Sequence, residues 1–154
     1  MRKLILVSII GFGVLFAKKA NSQSLKTAVD YIIERLPECV FPSNEKSRLE
    51  ASKGNNNCSL FIKNPQYSTT TMSYSFRFSS LDANKILIKD MGGYYLLTLR
   101  TLQEKDKITR QINGNIQMTR VFYLRSRYGE VLRRLKKAFI VAINKCTARD
   151  PFKD

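Results

Sequence analysis

Histidine is absent from this sequence, and with it go the Ser-His and Cys-His nucleophiles that need an imidazole base. Only three cysteines occur, Cys39, Cys58 and Cys146, and none of their spacings is Cys-x-x-Cys. A zinc site or a redox dithiol therefore has no support, and no metal or cofactor is expected. Glycine is scarce, and Gly92-Gly93 and Gly114 each sit where a hairpin turn accounts for them, so no phosphate-cradling loop follows a strand. Asp82, Asp90, Glu104 and Asp106 fall at turns or strand ends without the paired spacing of an acid and base couple. The reading is non-catalytic.

Carboxylates are also few against the bases: 12 acidic residues face 27 basic ones, a formal charge of +15. The excess is local. From Gln23 to Asp106 the two signs nearly balance, whereas from Lys107 to Arg149 the only acid is Glu130. No apolar run is long enough to span a bilayer, which takes roughly 20 residues. The one candidate, Leu4 to Ala17, follows Arg2 and Lys3 and stops at Lys18 and Lys19. Its order of basic start, short apolar run and small residues matches a secretory signal peptide, so residues 1–22 are expected to be removed. That leaves 23–154 as one exported domain, periplasmic or secreted, with a charge of +11.

The mature segment opens with "SLKTAVDYIIERLPE", where Ser24 can cap a helix, Leu25, Ala28, Val29, Ile32 and Leu36 share a face, and Pro37 ends it. Phe41 to Asn57 is polar and reads as a surface loop. "MSYSFRFS" alternates Met72, Tyr74, Phe76 and Phe78 with polar residues, the period of a half-buried strand. A hairpin turning at Gly92-Gly93 sets Ile88 against Leu97 and Ile86 against Leu99, so turn chemistry and apolar parity agree. In "QINGNIQ" they disagree. A two-residue loop at Asn113-Gly114 places apolar positions opposite polar ones, so a three-residue loop is expected, pairing Ile108 with Met118 and Asp106 with Arg120. The chain closes on an amphipathic helix with Leu132, Leu135, Phe139, Ile143 and Cys146 on one side.

The fold class expected is α+β: an N-terminal helix, an antiparallel meander of five or six strands, and a C-terminal helix packed on the sheet. From Cys58 to Cys146 this order resembles a pleckstrin-homology-like barrel, in which such a helix closes one end of the sheet. A cystatin-like layout is the alternative resemblance and takes in the leading helix. Cys146 lies on the apolar side of its helix and is expected in a disulfide with Cys58, with Cys39 as the alternative partner.

The charge suggests where a partner binds. Arg120, Arg125, Arg127, Arg133, Arg134, Lys136 and Lys137 are expected to form a cationic surface for an anionic envelope component or an acidic protein, with peripheral membrane contact as one form of it. Export and the lack of a recognised binding motif disfavour nucleic acid. Two further readings stand beside this one. Arg110 and Arg120 lie among apolar neighbours and suit the mouth of a sheet cavity carrying a small apolar or acidic ligand. The 41–57 loop suits an inhibitor or an assembly subunit.

Overall fold

The computed structural model describes residues 24–42, 48–64, 70–104 and 107–148. The expected signal segment and Asp106, the expected partner of Arg120, lie outside them. Helix α1 (Leu25–Arg35) begins where Ser24 Oγ accepts the Thr27 N–H at 3.1 Å and runs into a short 3-10 turn, Leu36–Glu38. Eight strands follow: β1 (Glu50–Lys53), β2 (Ser59–Lys63), β3 (Met72–Arg77), β4 (Leu87–Asp90), β5 (Tyr95–Arg100), β6 (Ile108–Ile112), β7 (Asn115–Thr119) and β8 (Val121–Ser126). Helix α2 (Gly129–Thr147) ends the described chain. The α+β order is as the sequence implies. The strands, however, number eight rather than five or six, and they divide into two antiparallel sheets, β1-β2-β3-β6-β7 and β4-β5-β8.

Alternation makes both sheets one-sided. Leu60, Ile62, Tyr74, Phe76 and Ile108 point inward from the first sheet, and Leu97, Leu99, Phe122 and Leu124 from the second. Aromatic rings join the two layers: Phe122 lies 5.0 Å from Tyr74 and 5.5 Å from Phe76 between ring centres, and Phe41 lies 5.0 Å from Tyr74. Each such pair adds about 0.5–1.5 kcal/mol beyond the area it buries. Helix α2 packs on the inward side of β4, β5 and β8 and beside α1, with Phe139 6.2 Å from Phe78. At its start, Gly129 leaves room for Tyr95: a Cβ there would sit 3.0 Å from the ring. At its last turn, Cys146 is bonded to Cys58, just before β2 (Cα–Cα 5.5 Å). Cys39 stays free and buried.

Two local expectations are corrected. The hairpin β6–β7 turns on two residues, with Asn113 at φ 47° and Gly114 at φ 86°, and pairs Ile112 with Asn115, Arg110 with Gln117 and Ile108 with Thr119. Parity fails as a guide because β7 is the edge of its sheet and four of its five residues are exposed, so no buried face constrains it. The Asn-Gly pair, suited to positive φ at both positions, decides the turn instead. The described parts of the 41–57 segment, residues 41–42 and 48–57, are also more regular than a loop. Phe41 and Leu49 are buried, Val40 pairs with Arg125 of β8, and β1 pairs with β2. Glu50 and Lys53 hide β1 from sequence reading, since charge is how an edge strand is commonly protected.

A candidate anion-binding face

Where β8 lies in the sheet determines where its arginines point. Phe122, Leu124 and Ser126 are buried, so Val121, Tyr123 and Arg125 project from the opposite side of the three-stranded sheet, away from α2. The β5–β8 register sets Arg100 beside Val121, Thr98 beside Tyr123 and Leu96 beside Arg125, and the β4–β5 register adds Leu87 and Lys89 to the same side. No carboxylate occupies an outward position on β4, β5 or β8. Arg125 is half-buried, with its guanidinium carbon 3.7 Å from the centre of the Tyr94 ring. Such stacking contributes about 0.5–2 kcal/mol and holds the charge at a fixed point on the face. Arg127 continues the row and is exposed. At the other end, Lys85, Arg100 and Arg120 line a groove of about 230 Å³ with Thr101 and Val121. Leu87 (56 % exposed) and Tyr123 (38 %) interrupt the cations with apolar surface.

The basic residues of α2 lie elsewhere. Arg133 Nε donates to one oxygen of Glu130 at 3.0 Å and Arg134 Nε to the other at 2.9 Å. These two bonds hold the Glu130 carboxyl below its usual range. Lys136, Lys137 and Ile140 complete a groove of about 230 Å³ with them. The seven residues expected to form one surface therefore divide between two sides of the molecule: Arg120, Arg125 and Arg127 with the sheet, and Arg133, Arg134, Lys136 and Lys137 on the helix. The local field differs too, because Glu130 offsets part of the helix charge.

Arg110 and Arg120 do not converge. Arg110 is half-buried on the inward side of β6, 5.9 Å from the Tyr74 ring centre and opposite Gln117. Its Nε is buried and has no hydrogen-bond partner among the described residues. Arg120 lines the groove at the far end of the other sheet, and none of the described grooves holds both. A groove of about 770 Å³ runs over the outward side of the five-stranded sheet, across Ser52, Phe61, Ser75, Thr109 and Met118, with Arg77 and Lys107 at one end. Comparison with protein-family models, curated proteins and solved structures finds no match.

Sequence reasoning missed Lys89, Tyr94, Arg100 and Tyr123. A signal was present, since Val121, Tyr123, Arg125 and Arg127 form the off-core parity of β8, and Tyr94, Leu96, Thr98 and Arg100 that of β5. Joining them required knowing that these two strands pair.

Proposed function

We propose that the chain is an exported, non-catalytic binding module that takes an anionic surface or macromolecule on the outward face of its three-stranded sheet. The observation that carries this reading is a face with Lys89, Arg100, Arg125 and Arg127 and no carboxylate at the outward positions of its strands, on which the Tyr94 ring holds Arg125 in place. Cations gathered on one face raise the local concentration of anions, and the interspersed tyrosine and leucine surface adds apolar contact. Export is supported by the Cys58–Cys146 disulfide, a bond that persists in oxidising compartments, and by the basic start and short apolar run at the N-terminus. Among the described residues no helix is long and apolar enough to cross a membrane.

The test is affinity capture from an envelope extract at low and moderate salt. Lys89→Glu/Arg100→Glu/Arg127→Glu alters three exposed side chains and spares the stacked Arg125. A second variant reverses Arg133, Arg134, Lys136 and Lys137. The captured species is expected to be lost with the sheet variant and with salt, since screening confines charge interactions to about 8 Å at physiological ionic strength, and to be retained by the helix variant. Undiminished capture by the sheet variant refutes the proposal, and loss confined to the helix variant moves the binding site to α2.

A further inference from the structure

The five-stranded sheet ends at β7, and this edge differs from the others. The opposite edge, β1, carries Glu50 and Lys53; β4 carries Lys89 and Asp90; the outer side of β8 is met by Val40. Strand β7 reads Asn-Ile-Gln-Met-Thr, with no charge and no proline, and exposes Ile116 (68 %) and Met118 (51 %). Protein edges usually carry a device against pairing with another chain, and this one has none of its own.

The free groups of the edge follow from the hairpin. A two-residue loop makes Ile112 and Asn115 a hydrogen-bonded pair, so Arg110 with Gln117 and Ile108 with Thr119 are hydrogen-bonded pairs as well. The N–H and C=O groups of Ile116 and Met118 then point away from β6, toward the open side. Among the described residues no backbone partner meets them.

We propose that this edge pairs antiparallel with β7 of a second copy of the chain, about a two-fold axis at Gln117. The register follows from self-complementarity. Centring on Gln117 sets Ile116 against the partner's Met118 on the outward face, so the two exposed apolar side chains cover each other. It places the free groups of Ile116 opposite those of Met118, which makes each a hydrogen-bonded pair. It sets Asn115 opposite Thr119, both polar and uncharged. Gln117 meets its own copy at a non-hydrogen-bonded position, where opposed Cα atoms approach to about 4.5 Å. For so basic a chain the absence of charge matters: β7 is the stretch of the C-terminal half where two copies approach without opposing like charges. The two five-stranded sheets become one continuous sheet, an isologous arrangement.

The closest approach at Gln117 supplies the test. Gln117→Cys in the full chain, oxidised at high concentration, is expected to give a disulfide-linked dimer, because opposed Cα atoms at that distance can be bridged. Asn115→Cys lies off the axis, opposite Thr119 of the partner subunit, and is expected to give no disulfide-linked dimer. Sedimentation of the unmodified chain is expected to show a concentration-dependent dimer, and Met118→Lys to weaken it at least about tenfold by placing a charge against Ile116 of the partner subunit. A monomer at every concentration, with no cross-link through Gln117→Cys, overturns the proposal; so does equal cross-linking through Asn115→Cys, which would mean random collision. If a dimer forms but Met118→Lys leaves it intact, the interface is elsewhere and the proposal fails.

Discussion

Replacing both Cys58 and Cys146 with alanine removes the link between the last turn of α2 and the start of β2. The bond joins residues 88 apart in sequence. In the chain-entropy description, opening a loop of that length returns to the unfolded state about 15 cal/mol/K, or about 4–5 kcal/mol at 25 °C. For a domain of this size, whose unfolding entropy is roughly 2.1 cal/mol/K per residue, that corresponds to a fall in Tm of about 15 °C. The alanines themselves are a small term: Cys58 is half-buried, and Cys146, though buried, loses only its sulfur. Urea and thermal unfolding followed by circular dichroism, on the oxidised chain and the double variant, measure the difference. A loss below about 1 kcal/mol would refute the reasoning, because the cross-link would then not be restricting the unfolded chain. The slope of free energy against urea offers a second check: releasing the loop exposes more surface on unfolding, so the variant is expected to have the steeper slope.

Burial pushes the Cys39 thiol up to about 12, with the Glu38 carboxylate acting in the same direction. The folded protein is therefore expected to resist thiol reagents at neutral pH and to react only after denaturation, as a titration with a chromogenic disulfide shows. A raised folded value also means that, above the ordinary thiol range, the unfolded state ionises first. Stability contributed by Cys39 is then fully present below that range and is lost as the pH rises toward 12, a component of the alkaline unfolding curve that Cys39→Ala removes. Phe122, in contact with Phe41, Tyr74 and Phe76 between the two sheets, is expected to cost about 3–5 kcal/mol on truncation to alanine, measured by urea unfolding.

Local chemistry and burial parity agree at some positions and part company at others, and that determines what could be read from the chain. The Gly92-Gly93 hairpin was legible because Leu97, Leu99 and Ile86 are buried, so the turn and the alternation carry the same information. At Asn113-Gly114 the alternation belonged to an exposed edge, where Ile116 and Met118 face solvent and parity constrains nothing. The Cys58–Cys146 pairing was legible from the apolar side of α2. Strand β1 was hidden by its charge, and the division into two sheets was hidden by distance, since β5 pairs with β8 across the intervening β6–β7 hairpin. The candidate site suffered for the same reason. Arg125 and Arg127 could be picked out by charge, but Tyr94, which holds Arg125, becomes its neighbour only once the sheet is assembled.

The packing of α1 against α2 also constrains the order in which the molecule can form. Ala28, Val29 and Ile32 are fully buried, yet much of what covers them is the last helix, synthesised some hundred residues later. Val40, likewise, finds its partner only in Arg125. A growing chain therefore carries an amphipathic first helix that cannot complete its packing until nearly all of the polypeptide exists, and an isolated helix of eleven residues is marginal in water. Contacts this far apart in sequence make folding slow and place it late. Until α2 has been made, the apolar face of α1 lacks the residues that cover it, and the packing of the two helices is a last step in closing the molecule.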